Sequence, residues 1–112
     1  MNAPIAVLEL SATRSNGEAF PLFVAVGAPQ LQETPSTYSC EVEISLFESP
    51  LRPVVGEGSL QAICLALRLV LYLLASFVEL GGKLAYPHGE PFDLQAHALG
   101  QLMPFAPSQS AL

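Results

Sequence analysis

Tryptophan is absent from these 112 residues, and lysine and arginine together number four. Cysteine and histidine occur twice each. Each scarcity narrows what the chain can do. The four cations, Arg14, Arg52, Arg68 and Lys83, are scattered, and ten acidic residues bring the net charge to −6. Neutralising phosphates needs clustered Lys and Arg, so this balance argues against DNA or RNA as a partner. Cys40 and Cys64 lie in apolar stretches without C-x-x-C spacing. They read as two reduced core thiols of a cytosolic protein, since free Cys behaves as a small hydrophobe. A disulfide between them stays open, although nothing in the composition favours it. Two histidines cannot supply a metal site without a third ligand, so neither metal nor cofactor is expected. The start of the chain, MNAPIAVLEL, carries no basic n-region and no small-residue cleavage site. A cytoplasmic location is the corresponding expectation.

What the chain has in abundance is apolar surface, 51 % of its residues. That suffices for one continuous core, and the length suits a single domain. We read residues 1–103 as that domain and 104–112 as a loosely attached tail. Short apolar runs at 5–10 and 20–26 flank Arg14-Ser15-Asn16-Gly17-Glu18. Asn-Gly tolerates positive φ at both central positions of a tight turn, so a hairpin is expected here. Residues 27–37, with Pro29 and Pro35, read as a loop. From Tyr38 to Leu46 the apolar residues Tyr38, Cys40, Val42, Ile44 and Leu46 alternate with Ser39, Glu41, Glu43 and Ser45. A period of two places one set inward and the other toward water, which defines an antiparallel sheet with one wet face. Residues 48–58 read as an irregular connection, and 83–86 as a short edge strand. A further helical segment is expected over 92–103.

The longest apolar run follows Ser59, a good N-cap residue, and predicts a helix over residues 60–80 that stops at Gly81-Gly82. Its length would cross a bilayer. However, Gln61, Arg68, Tyr72, Ser76 and Glu79 all fall within roughly 80° of one another at about 100° per residue. A mid-span Arg also costs about 3 kcal/mol on insertion scales. The expected fold is therefore α+β, with an antiparallel three- to four-stranded sheet and one long apolar helix packed on one face. Ile63, Ala66, Val70, Leu74 and Phe77 are expected to meet Cys40, Val42 and Ile44. The apolar arc is wider than the roughly 100° that a sheet covers. That leaves two flanks, Leu60-Leu67-Leu71-Val78 and Leu69-Leu73-Leu80, for the tail, a second copy or another protein to cover. We expect the tail on one flank and homodimerisation through the other.

Catalytic chemistry is hard to assemble from these residues. His88 in Tyr86-Pro87-His88-Gly89-Glu90 could pair with Glu90 or Asp93, but no nucleophile motif accompanies it. A surface histidine near a turn is the simpler reading. Glu41 and Glu43 share a solvated strand face and suit an acidic contact better than acid–base work. Arg68 and Tyr72 are i,i+4 neighbours on the helix stripe. Phosphate-loop, dinucleotide and nucleophile-elbow motifs are all missing. The expected partner-binding residues are accordingly Glu41, Glu43, Arg68 and Tyr72, in a chain that is not an enzyme.

The helix start Gly58-Ser59-Leu60-Gln61-Ala62 followed by Leu65-Ala66-Leu67, with Gly27-Ala28-Pro29 and Tyr38-Ser39-Cys40 before it, resembles a pattern in small uncharacterised bacterial α+β proteins. The likeness spans residues 5–86 and rests on structural positions: a cap, a turn and a core thiol. It implies a bacterial source and no catalytic residue. Some proteins of this size and acidity are immunity proteins that neutralise a toxin by direct binding. The functional expectation is thus a non-catalytic protein-binding module of that kind. The alternative is a small structural or ligand-binding protein acting as a homodimer.

Overall fold

The computed structural model describes residues 3–33, 36–46 and 51–94. The boundary expected at residue 103, most of the 92–103 segment and His97 lie outside the described residues. The chain opens with a hairpin of β1 (Pro4–Thr13) and β2 (Ala19–Gly27), in register from Thr13↔Ala19 to Ala6↔Val26, with the register shifted by a bulge before Pro4↔Gly27. Its turn departs from the expected Asn-Gly geometry. Gly17 alone takes positive φ (94°), and its N–H donates to the Arg14 carbonyl at 2.9 Å. Asn16 contributes instead through its side chain, whose Oδ1 accepts the Glu18 N–H at 2.9 Å. Asx side chains commonly bond their own backbone two residues on.

The alternating stretch from Tyr38 is split between two sheets. β4 (Thr37–Cys40) pairs with β3 (Gln30–Gln32) and β6 (Val54–Gly56), while β5 (Val42–Ile44) pairs with β2. Only Glu41 separates β4 from β5. Its carbonyl accepts the Gly27 N–H at 2.8 Å, which pins the corner to the end of β2. β7 (Lys83–Ala85) adds to β1 at Ser11 to Thr13, giving a four-stranded sheet β5-β2-β1-β7 beside a three-stranded sheet β3-β4-β6. Both are antiparallel, and with one helix the fold is α+β. The strands β3 and β6 replace parts of the two expected loops.

The helix α1 (Ser59–Glu79) begins one residue earlier than expected. Gly58 occupies the N-cap in extended conformation without a side-chain bond, and Ser59 is the first helical residue rather than the cap. Gln61 Oε1 reaches back to accept the Glu57 N–H at 2.6 Å. At the other end the Gly81 N–H donates to Val78 and the Gly82 N–H to Phe77, with Gly81 at φ 99°. That pair of bonds is the Schellman stop expected of Gly81-Gly82.

The core forms where the helix lies over Leu22, Val24 and Val26 of β2, Leu10 and Ala12 of β1, and Cys40, Val42 and Ile44. The buried helix residues are Ala62, Ala66, Val70, Leu71 and Leu74. Ile63 and Phe77, expected at the centre of that face, are half-buried against it. Small side chains bury the first turns because β6 comes so close: a Cβ on Gly56 would sit 2.7 Å from the Ala62 nitrogen. Cys40 is buried, but Cys64 is exposed, so the expectation of two core thiols holds for one only. Both are free thiols. By length and composition α1 could span a bilayer, and 28 % of its most apolar stretch is buried. Much apolar surface on this helix therefore has no cover among the described residues.

Candidate functional site

Along β1, even-numbered side chains face the helix and odd-numbered ones face away, as the buried Leu10 and Ala12 show. β2 covers one side of β1 throughout, whereas β7 covers the other only from Ser11 to Thr13. Among the described residues no strand pairs with residues 4–10 on that second side. Unpaired N–H and C=O groups on such an edge are a template for another strand. The side chains there are apolar on both faces, with Ile5 51 % and Val7 58 % exposed. Glu9 is the single charge on this edge.

Between the edge and the helix runs a groove of about 400 Å³. Ala6, Leu8, Val24 and Val26 form its floor, and Leu67, Val70, Leu71 and Leu74 form the helical wall. Phe92 closes one end, held by its N–H donating to the Leu84 carbonyl at 3.0 Å. Val7 points to the opposite face yet also borders the groove. The groove thus runs over the strand edge, where no further strand intervenes among the described residues. Of the two helix flanks that the sheet cannot cover, the structure places Leu67 and Leu71 on the groove, with Leu60 and Val78 of the same flank exposed. Among the described residues, no titratable side chain lines the groove.

The residues expected to bind a partner lie elsewhere. Glu43 stands opposite Ala25 on the face of the four-stranded sheet turned away from the helix, and Glu41 sits exposed at the corner between sheets. Arg68 and Tyr72 are exposed on the helix, on the other side of that sheet. The two pairs do not form one patch, and neither borders the groove. The edge residues Ala6, Val7 and Leu8 went unremarked as a binding surface. A signal for them exists: 5–10 reads Ile-Ala-Val-Leu-Glu-Leu without alternation, the pattern of a strand covered on both faces.

The remaining polar groups form small surface arrangements. His88 Nε2 lies 3.7 Å from Glu90 Oε1, with the imidazole stacked on Tyr86 at 5.5 Å and Tyr86 edge-on to Phe92 at 5.4 Å. The turn carrying them closes through Tyr86 N–H to Glu90 and Gly89 N–H to Tyr86. A depression of about 620 Å³ on the outer sheet face has Glu9 and Ser11 as its polar side chains. Arg14 Nε meets Glu18 at 3.2 Å, while its guanidinium covers Phe20 at 4.5 Å. Burial, and after it the Glu41 carboxylate, raises the Cys40 thiol above its ordinary pKa. Its Sγ–H donates to the Gly27 carbonyl at 3.0 Å, so this thiol is held protonated in the core rather than activated. No three His, Cys, Asp or Glu gather to hold a metal ion among the described residues.

Comparison with protein-family models, with characterised proteins and with solved structures finds no match for this chain. The fold defines the class: a small α+β protein with an apolar strand edge that no described strand pairs.

Proposed function

We propose that the chain is a non-catalytic protein-binding module whose contact face is the β1 edge with its adjoining groove. One observation carries the reading. An apolar groove of about 400 Å³, with no titratable side chain in its lining among the described residues, runs over a strand edge that no described strand pairs. A strand added to such an edge gains main-chain hydrogen bonds, and alternate side chains of the incoming strand fill the groove. Neutralisation of a toxin by occlusion would be one use of this face. The acidic surface at Glu41 and Glu43 then serves solubility or a secondary contact.

The test is selection from a random-peptide display library against the full chain. Enrichment of sequences with alternating apolar residues is expected, with binding reduced at least tenfold by Val7→Asp. Val7 is exposed, so that variant should keep the wild-type circular dichroism spectrum. A selection that enriches nothing, or winners that bind Val7→Asp as well as wild type, would overturn the reading.

A further inference from the structure

We infer that the Asn16–Gly17 peptide at the hairpin tip is a site of spontaneous covalent modification, where the Asn16 amide becomes a carboxylate through a cyclic imide. The tip lies at the far end of β1 from the proposed binding edge, and separate observations support it. Of the two asparagines in the chain, Asn16 precedes Gly17 and Asn2 precedes Ala3. Glycine has no Cβ to obstruct the five-membered ring that forms when its nitrogen reaches the preceding side chain. Among the described residues nothing lies within 4 Å of the Cβ direction of Gly17. Residues 14–19 are all exposed, so the ring has room and water has access.

The turn also prepares the group that is attacked. The Glu18 N–H donates to Asn16 Oδ1 at 2.9 Å, and the loop of atoms this bond closes contains both Asn16 Cγ and the Gly17 nitrogen. The side-chain carbonyl is thereby folded back toward the peptide that follows it. A donor on an acyl oxygen also stabilises the negative charge that builds there during attack.

The chemistry needs only water and hydroxide. Hydroxide takes the Gly17 amide proton, and the nitrogen then bonds to Asn16 Cγ. The Cγ–Nδ2 bond breaks, and its nitrogen takes a proton from water and leaves as ammonia, which returns the hydroxide. Water next opens the imide at one of its two carbonyls. Opening at Cγ gives aspartate in an unchanged chain, whereas opening at the backbone carbonyl gives isoaspartate, with one methylene added to the main chain. Nothing is oxidised or reduced, and either product adds one negative charge to the net −6.

The fold acts as a brake on this reaction. In the closed turn the Gly17 N–H donates to the Arg14 carbonyl at 2.9 Å, so the proton that must leave is held until that bond opens. The other ties across the tip are the Arg14 N–H to the Glu18 carbonyl at 2.8 Å and the exposed Arg14–Glu18 ion pair at 3.2 Å. All of them lie outside the ladder, which starts at Thr13↔Ala19. Opening the tip therefore leaves the core in place. A turn bond of this class holds its group closed by roughly two- to tenfold, so folding should slow the conversion by roughly ten- to a hundredfold without preventing it.

The test is incubation of the full chain in mildly alkaline buffer, with and without denaturing urea, followed by peptide mass mapping over time. Asn16 should show the mass gain of an amide-to-acid exchange in both, more slowly in the native protein by the factor above, with isoaspartate among the products. In urea, Asn2 should lag well behind. Asn16→Gln, whose ring would need six members, should lose the gain at this position. Urea too dilute to unfold the protein should leave the native rate unchanged. An Asn16 that stays intact in the native protein while the unfolded chain converts fully would overturn the proposal. So would a native rate that climbs with dilute urea in step with global unfolding. A native rate equal to the unfolded one would overturn the hydrogen-bonded brake.

Discussion

At Cys40 the sign of a pH effect follows from geometry. Burial and Glu41 push the thiol above its ordinary value of 9.0, so the folded chain holds this proton more tightly than the unfolded one. The associated stability is intact below that value and is lost as pH rises through the folded pKa. Chemical denaturation at pH 8 and pH 10 should show the wild type losing more stability than Cys40→Ala over that interval. Thiol titration of the native protein should find one fast thiol, Cys64, and one that reacts only on unfolding. Gly56 gives a second residue-scale prediction. A methyl group there would meet helix backbone at 2.7 Å and 3.0 Å, and backbone cannot swing aside as a flexible side chain does. Gly56→Ala is expected to cost about 1–3 kcal/mol through overpacking, measurable by urea unfolding. Gly58, also before the helix, has open space around its Cβ direction and should tolerate alanine with a far smaller loss.

Among the elements, α1 sorts substitutions by its angular position. Val70 is 6 % exposed and Tyr72 is 59 % exposed, only two residues away. Val70→Asp places a carboxylate against the core without a partner, a cost of several kcal/mol that a domain of ordinary stability cannot absorb. Tyr72→Asp should stay within about 0.5 kcal/mol of wild type. Thermal melts of the two variants make the comparison, and equal midpoints would contradict the packing of this helix. The helix and its stop were legible because periodicity and Gly81-Gly82 are local signals. The hairpin was legible for the same reason, although its turn uses Asn16 as a side-chain acceptor. The strands β3 and β6 were not. Each is three residues long and lies beside prolines that mark loops, and only pairing with β4 makes them strands. The apolar run at residues 5–10 was legible as one arm of the hairpin but not as an edge. Whether a strand has a neighbour depends on where distant β7 docks, and β7 reaches only Ser11 to Thr13.

For the molecule as a whole, the apolar arc of the helix exceeds what two sheets cover. Leu60 at 73 % and Val78 at 45 % exposure mark the flank left over. If a second copy covers that flank, folding is linked to association, and the melting temperature must rise with protein concentration. Differential scanning at concentrations spanning a hundredfold should show that rise. The candidate partner residues Glu41, Glu43, Arg68 and Tyr72 were chosen as exposed polar groups on regular elements, and they are exposed. The sequence pattern could not say that α1 and β5 turn them to opposite sides of the molecule.

The corner at Glu41 has a consequence for how the molecule comes apart. β4 and β5 belong to different sheets, yet one residue joins them, and Glu41 also accepts a backbone bond from the end of β2. Neither sheet can open without dragging the other's strand out of register. The two sheets should therefore behave as one cooperative unit. Native-state hydrogen exchange would then give the amides of Cys40 and Val42 the same opening free energy, although they belong to different ladders.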